Sequence, residues 1–181
     1  VWRDSSGNGH DITNITGTPL FVSVDNFDIR EDGLKGFDYI NGSTSVKLDW
    51  PTSTTLATNW TIAHLARYAY SGHKRRIIQA TSSNFISGHW NGRAGVAHQH
   101  NGFIGSSGNY GSKTHDWIFN IQYNDNYYRK KRNDNWSKLS QDRSNISGFR
   151  LGVNLGNASG ETSNFNIAEV LIFNKTLTQD E

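Results

Sequence analysis

Short runs of β-branched and aromatic residues recur along the whole chain, none long enough for a buried helix and each closed by a turn of Gly, Asn or Ser. They fall at residues 19–24, 36–40, 44–48, 58–68, 75–80, 84–90, 93–99, 116–123, 127–132, 149–155 and 166–173. Asn41-Gly42-Ser43, Tyr70-Ser71-Gly72-His73, Asn91-Gly92, Asn101-Gly102 and Ser106-Ser107-Gly108-Asn109 punctuate them. Many short strands at such spacing predict an all-β sandwich or jelly roll. Asn, Ser, Thr and Gly abound while Lys, Glu and Ala are scarce, a balance that favours turns over helix interiors. No helix longer than about two turns is expected, with residues 177–181 as the place where one would start.

Within this pattern the stretch from Trp60 to Tyr68 alternates well. Trp60, Ile62, His64, Ala66 and Tyr68 share one face, and Thr61, Ala63, Leu65 and Arg67 the other. Both faces are mostly apolar, which predicts a central strand. In the closing stretch Ile167, Val170 and Ile172 are out of phase, which points to a bulge or to burial on both faces.

At 181 residues the chain fits one domain, residues 1–181, and its apolar share of 34% together with 18 glycines suffices for a core. The absence of Met suggests a piece excised from a longer protein. Without cysteine there is no disulfide framework, which leaves secretion open. No run approaches the ~20 apolar residues of a membrane span, so no membrane insertion is expected. A formal charge of +2 without a basic stripe argues against a nucleic-acid partner.

Two end motifs carry a family resemblance. The chain opens Trp2-Arg3-Asp4-Ser5-Ser6-Gly7-Asn8-Gly9-His10-Asp11-Ile12 and closes Phe165-Asn166-Ile167-Ala168-Glu169-Val170-Leu171-Ile172-Phe173-Asn174-Lys175-Thr176-Leu177. Between them, Ser83-Asn84-Phe85-Ile86-Ser87-Gly88-His89-Trp90-Asn91-Gly92-Arg93-Ala94-Gly95-Val96-Ala97-His98 reads as a hairpin. Asp116-Trp117-Ile118-Phe119-Asn120-Ile121-Gln122-Tyr123 reads as a strand entering another, whose turn Asn124-Asp125-Asn126 departs from the usual Asn-Gly. Together these resemble the laminin G-like, concanavalin A-like lectin superfamily. The resemblance implies a concanavalin A-like jelly-roll β-sandwich of two antiparallel sheets in which the first dozen residues pair beside the closing strand. It also implies a binding module at an extracellular, cell-surface or virion surface, with glycan, or alternatively protein, as partner.

Four residue sets are candidates for function. His89, Trp90, Asn91, Arg93, His98 and His100 surround one hairpin: a ring to stack on a sugar, with Asn, Arg and His to bond its hydroxyls. The alternative is an inward Trp90 and a plain Asn-Gly turn. Tyr110, Tyr127, Tyr128 and Trp136 form a second aromatic set, read either as a glycan groove or as an edge of the core. Residues 127–132 with Lys138 and Arg143 concentrate positive charge, suited to an anionic polysaccharide or simply to a solvated hairpin. Asp4, Asn8, Asp11 and Glu169 are candidate oxygen ligands for a structural Ca²⁺ of the kind related modules hold; alternatively Asp4 and Asn8 serve the turn's own amides.

Catalysis finds little support. Glu31, Glu161, Glu169 and Glu181 lie in dissimilar settings, without the Glu-x-Asp-x-x-Glu run of glucanases on this fold. Gln99-His100 with Arg93 and His98 is a faint echo of polysaccharide lyases, which keeps a lyase or glycoside hydrolase as the alternative to a lectin. Gly-x-Ser-x-Gly, His-Glu-x-x-His and phosphate-binding Gly loops are absent.

Overall fold

A computed structural model describes residues 1–23, 38–99, 102–104, 115–123, 126–131, 135–140, 146–155, 160–178 and 180–181. Its strands are β1 (Asn14–Thr16), β2 (Leu20–Val22), β3 (Tyr39–Gly42), β4 (Lys47–Asp49), β5 (Thr61–Tyr68), β6 (Ile78–Ala80), β7 (Ile86–Trp90), β8 (Arg93–Gln99), β9 (Gly102–Phe103), β10 (Ile118–Tyr123), β11 (Asn126–Lys131), β12 (Ser137–Ser140), β13 (Leu151–Val153) and β14 (Phe165–Phe173). They build two seven-stranded antiparallel sheets, ordered β1-β4-β13-β6-β7-β8-β9 and β12-β11-β10-β5-β14-β3-β2. One 3₁₀ turn, Thr52–Thr54, is the helical structure among the described residues, and none starts at Leu177. No helix among them is long and apolar enough to cross a membrane.

The two sheets face each other across the core. Trp60 is fully buried, stands edge-on to Phe85 and Phe149 at 5.7 and 5.5 Å, and donates Nε1–H to the Ile146 carbonyl at 2.9 Å. Leu48, Ile62, Ile77, Ile78, Val153 and Phe165 belong to the same cluster. Burying each such side chain is worth about 1.5–3 kcal/mol. Contact is tight enough to dictate Gly42, where a Cβ would fall 2.3 Å from the Phe165 ring. Beyond β13, buried Asn154 bonds the carbonyls of Ser43, Val46 and Ser163 through Nδ2 and accepts the Ser163 N–H, tying three segments together.

Strand β5 lies between β10 and β14, the central place its two apolar faces predict. The bulge expected in the closing strand is present: Ile167 pairs with Ala66 and Glu169 with Leu65, leaving Ala168 without a partner in the register.

The ends do not zip together as expected. Trp2 and Ile12 bridge to each other, with N–H···O distances of 3.1 and 2.9 Å, so the opening turn closes on itself. The reason lies in the turn's side chains, since the Asp4 carboxylate gathers the amides of Ser6 and His10 and folds the segment back before it can extend. On the other side, β14 takes β3 and β5 as neighbours. The two ends meet through side chains: Trp2, Val170 and Ile172 pack against the core, and both segments line one cleft of about 890 Å³.

Candidate functional site

Strands β7 and β8 form a hairpin whose Asn91-Gly92 turn has φ of 49° and 75°, the left-handed pair that a type I′ turn requires. Trp90 and Arg93 face each other at its mouth, and the guanidinium lies 5.7 Å over the indole. The short strand β9 brings Phe103 to 5.1 Å from Trp90 and 4.9 Å from His98, whose Nδ1 donates to the Asn84 carbonyl at 3.0 Å. Trp90, Arg93, His98 and Phe103 therefore make one half-exposed aromatic platform. Asn91, exposed at the tip, accepts a hydrogen bond from Arg75.

His89 does not belong to this platform. On β7 it shares the parity of inward Ser87 and alternates with half-exposed Trp90, so the imidazole faces the core, fully buried and edge-on to Tyr68 at 4.9 Å. Desolvation holds its pKa down to about 3, so it is a neutral interior group rather than a ligand contact. His100 and Tyr110 lie outside the described residues.

The second aromatic set divides by strand parity. On β11, Tyr127 points inward and is fully buried, while Tyr128 lies on the outer face, its ring stacked on Tyr123 at 5.7 Å. Trp136, about half exposed, meets Phe119 at 5.7 Å. The basic run divides in the same way. Lys130 lies 5.8 Å over Trp136 and Lys138 5.5 Å over Tyr128, whereas Arg129 turns inward and donates to the Gly95 carbonyl. Arg132 and Arg143 lie outside the described residues.

Sequence reasoning missed a buried polar layer between β5, β10 and β11 on one side and β7 and β8 on the other. The register sets His64, Asn120 and Arg129 in one cross-strand row, with Gln122 and Tyr127 in the next. His64 Nε2 is hydrogen-bonded to Ser87 Oγ at 2.9 Å, and Tyr127 donates to Asn120 Oδ1. Among the described residues, His64 Nδ1, both His89 nitrogens and both polar atoms of the Gln122 amide have no hydrogen-bond partner. Gly88, at φ 93°, is the close-approach point: a Cβ there would fall 2.6 Å from His64 Cε1. The available signal was polar Asn120 and Gln122 in phase with Ile118 on β10.

The calcium set fits a turn better than an ion cage. Both Asp4 oxygens already accept hydrogen bonds, from Ser6 N and Oγ and from His10 N at 2.8–3.0 Å, and these donors pull its pKa down to about 2. Asp11 accepts the Asp4 N–H at 2.7 Å and pairs with Arg3 at 3.7 Å; Asn8 bonds Ser6 Oγ. Glu169 stands exposed on β14 across the same cleft. Among the described residues no three His, Asp or Glu side chains converge as metal ligands.

The fold places the chain among antiparallel β-sandwich domains. No family model matches it, and no curated protein does. Among solved structures it is similar to domain 4 of AbnA, a GH43 extracellular arabinanase from Geobacillus stearothermophilus, in complex with arabinotriose; identity is 13% and TM-score 0.63, over 98% of this chain and 88% of that one. It is also similar to the receptor binding domain of botulinum neurotoxin type G, with 17% identity and TM-score 0.58 over 98% of this chain and 46% of that one. The binding domain of botulinum neurotoxin DC in complex with SialylT gives 14% and 0.57, again over 98% and 46%. The chain thus spans just under half of the neurotoxin domains. At these identities the likeness establishes architecture.

Proposed function

We propose that the domain is a non-catalytic carbohydrate-binding module, a lectin-like or adhesion unit for cell-surface or cell-wall glycan that works outside the cell or on a virion. The observation that carries this reading is the half-exposed platform of Trp90 on Phe103, with Arg93 and His98 at its margins. Aromatic faces take the C–H side of a pyranose, and the flanking Arg and His supply directional hydrogen bonds to its hydroxyls. That the arabinanase domain is in complex with arabinotriose and a neurotoxin domain with SialylT supports the reading by likeness of fold. Affinity electrophoresis against arabinan, laminarin, alginate and dextran sulfate tests it. Trp90→Ala is expected to weaken binding by roughly 2 kcal/mol, about thirtyfold, with the melting curve little changed. Binding that survives the substitution intact removes the platform from the site.

A further inference from the structure

We propose that the glycan is acidic, its carboxylate or sulfate groups held by Lys74, Arg75 and Arg93 along a rim that leads from the hairpin platform onto the outer face of the second sheet. The inference rests on the carbohydrate-binding reading and specifies its ligand. The loop joining β5 to β6 docks on the hairpin tip, where Gly92 N–H donates to the Lys74 carbonyl at 2.7 Å and Arg75 donates to Asn91 Oδ1. From there contacts continue without a gap. Lys74 Nζ donates to His115 Nε2 at 2.9 Å, His115 stacks on Tyr70 at 5.0 Å, and the Arg67 guanidinium lies 5.3 Å from Tyr70 and 4.7 Å from Trp117. Tyr70 is 74% exposed, the most open large ring among the described residues.

The partners of the cations make the argument. Elsewhere two half-buried arginines are neutralised by carboxylates, Arg76 by Glu161 at 2.6 Å and Arg150 by Asp49 at 3.0 Å. On the rim, Lys74 bonds an imidazole, Arg75 an amide oxygen and Arg93 an indole face; among the described residues none of the three meets a carboxylate. Neutral partners orient a cation and leave its field directed outward. Guanidinium forks match carboxylate and sulfate oxygens, and the rings set between them offer stacking surface for the sugars that carry those groups. A neutral glycan would use the rings and leave three cations idle.

The test is affinity electrophoresis of the whole chain at fixed ionic strength against alginate oligomers for carboxylate, dextran sulfate for sulfate, and arabinan and laminarin as neutral probes. The double variant K74Q/R75Q, and separately R93Q, are compared with R3Q/K47Q, which removes as much charge as the double variant at residues outside the rim, and circular dichroism checks folding. The expected result is retention by one acidic polymer, weakened about tenfold or more in K74Q/R75Q and R93Q and less than about twofold in R3Q/K47Q. Alginate or dextran sulfate as the responding polymer assigns carboxylate or sulfate. Neutral and acidic probes bound equally well, with K74Q/R75Q unchanged, overturn the acidic ligand while glycan binding stands. Equal losses in R3Q/K47Q reduce the effect to net charge and overturn the rim. Retention by none of the four probes overturns both this inference and the reading beneath it.

Discussion

Between the same two sheets lie two interiors of opposite character. One half, around Trp60, Phe85 and Phe149, is apolar, and the Trp60 indole N–H is satisfied. The other, beside β7 and β8, buries His64, His89, Asn120, Gln122 and Arg129. Apolar burial stabilises in proportion to area, whereas a buried polar atom without a partner costs about 1–3 kcal/mol. The contrast teaches that strand alternation reports which side chains turn inward but not whether their burial favours folding. On β10 the buried positions are Ile118, Asn120 and Gln122, and the half-exposed ones Phe119, Ile121 and Tyr123, nearly the reverse of a hydrophobic pattern.

Acid is the strongest way to separate the halves. Burial holds His64 and His89 at about 3 against an ordinary 6.5. The unfolded chain therefore binds protons that the folded one refuses, and stability falls as pH drops from about 6.5 towards 3, by roughly 1.4 kcal/mol per imidazole per pH unit. Lowering pH from 7 to 4.5 is expected to cost about 5 kcal/mol, read from urea midpoints, and His89→Phe to halve the slope. An unchanged slope in that variant would show that the acid response arises outside this layer.

In the apolar half, Trp60→Ala is expected to cost about 3–5 kcal/mol at neutral pH, through lost contacts and the cavity left between Phe85 and Phe149. That loss should leave the pH slope intact, and a steeper slope would mean that the halves are coupled. Gln122→Leu is the mildest of the three. It replaces an amide whose polar atoms have no partner among the described residues, so the variant is expected to be neutral or more stable by about 1 kcal/mol. A clear destabilisation would place a water or ligand on Gln122.

Much of this sandwich was legible in the sequence because turn chemistry and alternation are local. The Asn91-Gly92 turn, the central strand from Thr61 and the bulge after Ile167 all follow from neighbours in the chain. Strands β1, β9 and β12 are only two to four residues long, too short for alternation to announce them. The platform was half legible. Trp90, Arg93 and His98 were in view, but Phe103 arrives through β9, and His89, next to Trp90 on the same strand, faces inside. Tyr70 stood in what looked like an ordinary turn and Arg75 at the start of the strand run after it, and nothing in their own segment says that it docks on a hairpin tip.

The odd residue in the last strand sets a length tolerance. Before it Phe165 and Ile167 point to the core, and after it Val170 and Ile172 do, with Ala168 taking up the extra position. Excising Ala168 alone would leave a regular two-residue rhythm with every remaining side chain on its present face. Excising Val170 instead would move Leu171 onto the interior side and Ile172 away from it. Chains of this type can therefore drift by one residue at a single point near their end without being turned inside out.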